Sequence, residues 1–503
     1  MITRRRFLQA SAVAGAALTL PGLTGCGDAD DGAARETTTT SQPPKERPGA
    51  FTHGVASGDP HADSVVLWTR VDAGLRDRVD LRWEVASDDT FGEVLASGRT
   101  STDASRDWTT KVIAAGLGAG TTYAYRSVDA ERPGGAAASP TGRTRTAPDG
   151  DVDQLRFGVV SCSNYGYGYF HAYRHLLERD LDAVVHLGDY IYEYANEGKG
   201  ETYGTVRTLD PETEVTTLDG YRRRYAHYRS DPDLAELHRR HPMIHVWDDH
   251  EFADDPTMGG AANHQPEDGD WNDRIAAALQ AYDEWLPTRL DGNRIYRVLD
   301  YGPLARIIGL DRQRRFLWPD PDDGDRYLGA AQADWLDEQL GRSPARWSVL
   351  AQQTTFAPVS HDARSGGWPT ADRSRALTAA SKAETDVVVL TGDIHRFHAI
   401  DVVDNPEAWA ADAIAGIAAV EFAVGSITSP GSDALGVGRQ VRGNSGLVRG
   451  YSVVTLTPDQ VRCDNWGFDD IHLTERSLPE ERWLAGFTSN AGRPQLLEAD
   501  GPS

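Results

Sequence analysis

The sequence has few cysteines and no excess of basic residues. Three cysteines in 503 residues are too few for a fold built on disulfides, so hydrophobic cores must hold the chain together. Acidic residues outnumber basic ones by 76 to 51, for a formal charge of −25. This balance argues against a non-specific nucleic-acid binder, since no basic excess can neutralise phosphates. What remains is a large acidic chain of roughly two to four domains.

The N-terminal segment predicts export. The basic stretch TRRRFLQ precedes the uncharged run ASAVAGAALTLPGL, and together they form a signal peptide that is too short for a permanent membrane span. Its Arg-Arg-x-Phe-Leu pattern resembles twin-arginine signals, which direct folded proteins across the membrane. The following LTGC resembles a lipoprotein cleavage box ending at Cys26. We expect an extracytoplasmic protein, exported by the twin-arginine route and anchored by a lipid on Cys26; the alternative is a secreted protein cut nearby.

Changes in composition along the chain predict its domains. A charged stretch rich in threonine and proline is typical of a disordered linker. Short segments such as SVVLWTRV and VDLRWEVAS then predict a small all-β sandwich. Farther along, apolar strands alternate with helical stretches, which predicts a layered α/β domain. The predicted division is a signal peptide (1–26), a linker (27–49), an N-terminal β-sandwich domain (50–148), a catalytic domain (154–480) and a C-terminal tail (481–503).

Polar groups follow four apolar strands of the α/β domain. Singly they have ordinary explanations: an aspartate caps a turn, a lone cysteine packs as a small apolar group, and a tyrosine hydrogen-bonds its hydroxyl. Jointly they suggest a site, because functional groups in such sheets gather beyond the carboxyl ends of the strands. They are Cys162 and Asn164 after RFGVV, Asp189 and Tyr192 after DAVVHLG, Asp248, Asp249, His250 and Glu251 after MIHVW, and Asp393, His395 and His398 after DVVVLTG.

A cluster of cations would explain this set of residues. Uncompensated acids packed together are costly, and Asp189 can bridge two cations while Tyr192 supplies a hard phenolate. Thiolate and imidazole favour a transition metal, whereas an all-oxygen site suits calcium, magnesium or manganese. Metals ~3.5–4 Å apart can clamp the entering and leaving oxygens at phosphorus, and a metal lowers the pKa of its water from 15.7 to about 7. His250, beside Asp249, can protonate the leaving oxygen.

With these residues assembled, the chain resembles the alkaline phosphatase D (PhoD-like) family of metallophosphoesterases. The resemblance covers nearly the whole chain, and its motifs follow the family order. They are FTHGVASGDP and SVVLWTRV in the N-terminal region, then SCSN, HLGDYIYEY, YRRRYAHYRSDPDL, WDDHEFADD, LTGDIH and GSITSPG. The implied fold is a layered α/β sandwich of the metallophosphoesterase type, preceded by the small all-β sandwich.

The resemblance also implies a ligand set. It implies ferric iron and calcium, with other divalent metals as alternatives, and it places Asp189 between the two ions. Asp249 and His250 align with the asparagine and histidine of the Gly-Asn-His-Glu motif in broader metallophosphoesterases, which makes His250 the catalytic candidate. Calcium can instead draw on Asp254. The implied iron ligands are Cys162, Asp189, Tyr192 and His395, and the implied calcium ligands are Asp189 and Asp393, with Asp249 as a further metal ligand.

One segment departs from the family pattern. An Asp-Thr-Arg segment of the family appears here only as LDRQRR, residues 310–315. Its arginines, at 312, 314 and 315, either contact a phosphate or form a solvated basic turn.

The predicted function is that of an exported, metal-dependent phosphoesterase of the alkaline phosphatase D type. It would hydrolyse phosphodiesters and phosphomonoesters by attack of a metal-bound hydroxide. One alternative is a phospholipase D acting on phospholipid head groups, and another is a non-enzymatic, calcium-stabilised surface-binding lipoprotein. The expected partners are the phosphate ester, the twin-arginine export machinery and the membrane through Cys26. We expect no nucleic-acid partner beyond a possible substrate. We also expect the protein to be a monomer.

Overall fold

Twenty-three strands and seven α-helices make up the described part of the chain. The computed structural model describes residues 45–46, 48–196, 206–320, 323, 326–359, 367–403, 415–431, 440–445, 447–472 and 479–503. The strands are β1 (Lys45–Glu46), β2 (Val55–Gly58), β3 (Ser64–Arg70), β4 (Arg78–Ala86), β5 (Val94–Asp103), β6 (Thr109–Ala115), β7 (Thr122–Asp129), β8 (Ala137–Ala138), β9 (Gly142–Arg145), β10 (Leu155–Val160), β11 (Ala183–His186), β12 (Met243–His245), β13 (Arg297–Tyr301), β14 (Ala305–Gly309), β15 (Trp347–Gln352), β16 (Asp386–Thr391), β17 (Phe397–Val403), β18 (Ile417–Ala423), β19 (Val441–Ser445), β20 (Arg449–Leu456), β21 (Gln460–Phe468), β22 (Arg482–Asn490) and β23 (Arg493–Glu498).

The helices begin at residues suited to capping. Thr217, Asp231 and Asp270 each accept a hydrogen bond from a backbone N–H in the first turn of the helix, which satisfies donors left free at a helix start. Pro232 occupies the first turn of its helix, where its missing N–H costs nothing. The helices are α1 (His171–Leu176), α2 (Leu218–Arg229), α3 (Pro232–Arg240), α4 (Trp271–Trp285), α5 (Arg314–Leu317), α6 (Ala330–Gly341) and α7 (Thr370–Ser381).

Two large sheets stack face to face. One has ten strands in the order β23-β22-β21-β20-β10-β11-β12-β2-β3-β6, and the other has seven in the order β13-β14-β15-β16-β18-β17-β19. Apolar residues from both, such as Val185 and Val349, share one core. Helices α1 to α4 pack on the other face of the ten-stranded sheet, and α6 and α7 pack on that of the seven-stranded sheet. The predicted layered α/β fold is therefore confirmed.

The N-terminal region forms the predicted β-sandwich. One of its sheets has the order β1-β8-β7-β4-β5, with β9 also paired to β7. The facing strands, β2, β3 and β6, share a core with it that includes Val65, Val85 and Tyr125. These three strands also extend the ten-stranded sheet, since Met243 of β12 pairs with Gly58 of β2. One sheet thus runs through both predicted domains, and their boundaries remain predictions.

The prediction of a C-terminal tail over residues 481–503 is wrong. Residues 481–503 instead contain β22 and β23, which pair antiparallel with each other at the edge of the ten-stranded sheet. Phe487 and Leu496 enter the core between the two sheets, so burial of apolar surface holds this hairpin in place.

The structure does not describe most of the N-terminal segment. The signal peptide, Cys26 and most of the predicted linker lie outside the described residues, although Lys45–Glu46 pairs with β8. Within the described residues, no helix combines the length and the hydrophobicity required to cross a bilayer.

Candidate metal centre

The predicted site residues lie where the two large sheets end together. Strands β10, β11 and β12 are parallel neighbours, so Cys162, Asp189 and Asp249 follow their carboxyl ends at one edge. From the other sheet, β16 brings His395 to the same edge. The two sheets meet closely there, because a Cβ at Gly392 would lie 3.0 Å from Cβ of Ser161.

The first group of metal-binding atoms combines a thiol, a carboxylate and an imidazole. Ligand atoms of Cys162, Asp189 and His395 all lie within 4.8 Å of one another. The Tyr192 hydroxyl lies 3.1 Å from Oδ2 of Asp189 and 3.3 Å from Nε2 of His395. The four residues that we expected to hold iron therefore surround one point.

The second group contains Asp189 again. Ligand atoms of Asp189, Asp249 and His250 lie within 4.8 Å of one another. Asp189 is thus common to the two groups, which is the arrangement that a carboxylate bridging two cations requires.

Asp393 stands apart from both groups. Its side chain is 38 % exposed, and its Oδ2 lies 3.8 Å from Nη1 of Arg312. Its charge nevertheless acts on Cys162 and Asp189, so it lies near the cluster. Asp254, the alternative calcium ligand, is tied through its backbone N–H to Oε1 of Glu193 at 2.9 Å.

Neighbouring groups fix the orientation of two of the candidate iron ligands, His395 and Tyr192. Nδ1 of His395 donates to the carbonyl oxygen of Pro430 at 2.8 Å, which leaves Nε2 as the ring nitrogen for the cluster. Oγ of Ser429 lies 2.6 Å from the Tyr192 hydroxyl and 3.1 Å from the carbonyl oxygen of Cys162. The loop 425–431 thereby holds both the phenol and the imidazole.

The backbone of these turns is unusual as well. Cys162, Asp189, Asp393 and His395 have φ angles of 59°, 54°, 62° and 53°, a left-handed region that residues other than glycine rarely adopt. Such strain concentrates at functional sites. The position before Asp189 requires glycine, because a Cβ on Gly188 would come within 2.6 Å of Cβ of Asp248.

Burial makes negative charge expensive in the cluster. Desolvation, followed by the charge of Asp189, raises the pKa of the Cys162 thiol well above its usual value, and the same two causes raise the pKa of the Tyr192 phenol. Desolvation also raises the pKa of Asp189, with contributions from Asp249 and Glu251. Bound cations would offset these costs.

Buried carboxylate oxygens without a hydrogen-bond partner indicate whether the residues suit a metal. Oδ1 of Asp189 is buried and has no hydrogen-bond partner in the described part of the chain, and the same is true of Oδ2 of Asp248. A buried carboxylate oxygen without a partner is costly. The donor set of thiol, phenol, imidazole and carboxylates also suits a hard transition metal beside an oxygen-bound cation. The residues therefore fit the metals that the resemblance implies.

His250 is held by a carboxylate that we did not predict. Its Nδ1 lies 2.8 Å from Oε2 of Glu193, and Oε1 of Glu193 also accepts from Nδ2 of Asn263 at 2.5 Å. Although burial opposes it, the charges of Asp249 and Glu193 raise the pKa of His250 well above its usual value. Nε2 is therefore the ring nitrogen left for a reactant.

Three other residues from the strand ends have different surroundings. The carboxylate of Glu251 accepts backbone N–H bonds from Asp189 at 3.1 Å, Tyr190 at 2.5 Å and Asp248 at 2.7 Å. It therefore joins the turn after β11 to the turn after β12. Oδ1 of Asp248 accepts from Nε2 of Gln313 at 2.6 Å. His398 lies within β17, where its Nδ1 contacts the carbonyl oxygen of Gly443 at 3.2 Å.

The chain also matches models of known families. A family model described as PhoD-like phosphatase matches residues 157–464, and one for the N-terminal domain of PhoD-like phosphatases matches residues 36–148. A model of the twin-arginine translocation signal sequence matches residues 1–21.

Individual proteins give the same result. The chain is 36 % identical over 464 residues to alkaline phosphatase D of Bacillus subtilis (strain 168), which covers 82 % of this chain and 77 % of that protein. A solved structure of PhoD superposes with a TM-score of 0.78 at 33 % identity, covering 90 % of this chain and 93 % of the other. The purple acid phosphatase PPD1 from yellow lupin (Lupinus luteus) seeds has a TM-score of 0.58 at 12 % identity, over 82 % of this chain and 71 % of the other; that likeness concerns the fold.

Proposed function

The chain belongs to the PhoD-like phosphatase family, and from this premise we propose that two different cations bind on either side of Asp189, one next to Cys162 and His395 and the other next to Asp249. Family membership makes it a metal-dependent phosphoesterase. Its N-terminal segment carries a twin-arginine export signal. Ferric iron is the proposed ion for Cys162, Asp189, Tyr192 and His395, because a phenolate and a carboxylate suit a hard, acidic ion and a thiolate suits a transition metal.

Calcium is the proposed second ion, beside Asp189 and Asp249. Oxygen ligands suit it, and Asp393, which lies near the cluster, is the further ligand that the resemblance implies. The observation that carries the two-cation proposal is that Oδ1 of Asp189 is buried and has no hydrogen-bond partner among the described residues, while Asp189 is common to both donor groups.

The proposed substrates are phosphomonoesters and phosphodiesters. When bound, the cations supply charge neutralisation at the phosphoryl group and an acidified water for its hydrolysis. The chain supplies the proton: Nε2 of His250 donates to the leaving oxygen, while Glu193 holds Nδ1 and fixes the ring. Ser429 and Pro430 keep Tyr192 and His395 in position.

Two further proposals concern the whole protein. We propose that Cys26 carries a lipid after export, on the strength of the LTGC box, and that the protein acts as a monomer. The two alternative functions, phospholipase D and a non-enzymatic surface-binding lipoprotein, receive no support from the described residues.

Replacement of the shared carboxylate tests the proposed function. Asp189→Ala should lower hydrolysis of an aryl phosphate ester by roughly a thousandfold or more, because bound metals supply several kcal/mol of transition-state stabilisation. Metal content, measured by mass spectrometry, should fall with it. Asp300→Ala is the control, since Asp300 pairs with Arg306 at the surface. Full activity in a folded Asp189→Ala protein would refute the proposed site.

A further inference from the structure

Two buried arginines of the chain, Arg224 and Arg274, have acceptors for their guanidinium N–H groups. Nη1 of Arg224 donates to the carbonyl oxygen of Tyr194 at 3.1 Å, and Nη2 donates to that of Pro211 at 2.8 Å. Nη2 of Arg274 forms an ion pair with Glu214 at 3.0 Å. Acceptors of this kind offset the cost of moving a charged group out of water.

Arg229, the last residue of α2, is buried without such partners. Its side chain is 0 % exposed, and its Nη2 contacts the carbonyl oxygen of His53 only at 3.4 Å. Within the part of the chain that the structure describes, Nε and Nη1 have no hydrogen-bond partner and the guanidinium has no ion pair. Two donors and a positive charge are therefore left uncompensated in the interior, which is costly.

Neutral rings lie next to this positive charge. The ring centroids of Tyr190, His238 and His245 are 5.7 or 5.8 Å apart in each pair, and the charge of Arg229 acts on all three. Burial lowers the pKa of both histidines well below the usual value, and it raises the pKa of the Tyr190 phenol to about 12. The guanidinium interacts with the Tyr190 hydroxyl, but none of these rings supplies a negative charge.

The other neighbours of Arg229 compensate it only in part. Asp231, which is close enough to act on Tyr190, is already paired with Arg207 at 2.7 Å. The guanidinium of Arg229 lies over the ring of Trp68, 4.4 Å from its centroid, and it follows the C-terminal end of α2. An aromatic face and a helix C-terminus both favour a cation, but neither accepts the N–H groups that lie in the guanidinium plane.

We propose that a small monovalent anion, such as chloride, binds in the interior beside Arg229 and accepts hydrogen bonds from its Nε and Nη1. An anion supplies both the negative charge and the acceptor that this position lacks, whereas water would supply only the acceptor. Because Arg229 belongs to α2 and Trp68 to β3, the anion would stabilise the contact between the helical layer and the N-terminal strands. The inference does not depend on the proposed catalytic function.

Bromide, which scatters X-rays anomalously, is the probe for the position of the anion. Crystals of the wild-type, metal-loaded protein grown in sodium bromide should give an anomalous peak in contact with Nε and Nη1 of Arg229 when data are collected above the bromine absorption edge. Ordered water at this position, with no anomalous peak, would overturn the inference.

Chloride should also stabilise the folded protein. When chloride replaces methanesulfonate at constant ionic strength, Tm should rise by about 2–3 °C at a hundredfold excess of chloride over its dissociation constant, because the anion binds only the folded state. Arg229→Met removes the charge and the donors but keeps an unbranched side chain, so this variant should fold without chloride and show no chloride dependence. Arg78→Met, which removes an arginine that is 64 % exposed, is the control and should keep the wild-type dependence.

The melting experiments can overturn the inference as well. Equal Tm values for the wild type in chloride and in methanesulfonate would do so, and so would a chloride dependence in Arg229→Met as large as that of the wild type. A bromide peak without an effect of chloride on Tm would mean binding at crystal concentration only, which also contradicts the proposal. If Arg229→Met does not fold, the bromide map and the melting curves of the wild type decide.

Discussion

Histidines lie in two regions along the same strands, and the two regions differ in charge. At the strand ends, His250 faces the carboxylates of Asp249 and Glu193. On the face of the ten-stranded sheet that the helices cover, the rings of His186, His238 and His245 are buried. They stack on one another. The ring centroids of His238 and His245 are 5.7 Å apart, and those of His186 and His245 are 6.0 Å apart.

The same residue type therefore takes opposite protonation preferences in the two regions. Burial lowers the pKa of His186 to about 3 and lowers those of His238 and His245 well below the usual value. Burial opposes protonation of His250 too, but the nearby carboxylates outweigh it. The charges that surround a buried histidine, more than its burial, decide whether it can act as a proton donor.

The largest expected difference between the two regions is in catalysis. His250→Ala should lower kcat by about 10² to 10⁴, the usual contribution of a proton-transferring side chain. His245→Leu, in the inner cluster, should leave kcat for the same aryl phosphate unchanged. Steady-state kinetics on both variants, with metal content measured, would separate the regions. Equal losses in the two variants would remove the distinction.

A smaller difference should appear in stability at acid pH. In the folded protein His245 stays neutral, whereas in the unfolded chain it gains a proton as pH falls below about 6.5. Because the unfolded state binds the proton first, this residue contributes stability at pH 8 that is progressively lost toward pH 5, by about 2 kcal/mol. His245→Leu lacks this group and should lose about 2 kcal/mol less than the wild type over that range.

Denaturant unfolding at both pH values measures this effect. Neither nitrogen of His245 has a hydrogen-bond partner in the described part of the chain, so the leucine removes no such bond. A variant with the same pH dependence as the wild type would mean that His245 is protonated or hydrated in the folded state.

Much of the site could be predicted because its signals are local. Each of Cys162, Asp189, Asp249 and His395 comes within a few residues after an apolar strand, and parallel strands bring their ends together. The apolar character of each strand and the polar residues at its carboxyl end are both visible in a short stretch of sequence.

Contacts between distant segments could not be predicted in this way. Glu193 belongs to the HLGDYIYEY motif, but its partner His250 lies 57 residues farther along, and no local pattern links the two. The contact between Ser429 and Tyr192 spans 237 residues. Strands β22 and β23 were missed because their sequences mix polar and apolar residues, and only the pairing of β22 with β21 and of β23 with β22 reveals them as strands.

Anomalous X-ray diffraction from crystals of the exported, metal-loaded protein would test most directly whether Asp189 joins two cations. Data collected on either side of the iron absorption edge should show one iron peak within bonding distance of Cys162, Tyr192, His395 and Asp189. A second, non-iron peak should lie beside Asp249 and share Asp189. Active crystals without density for any cation at Asp189, or with a single cation that does not contact it, would contradict the account.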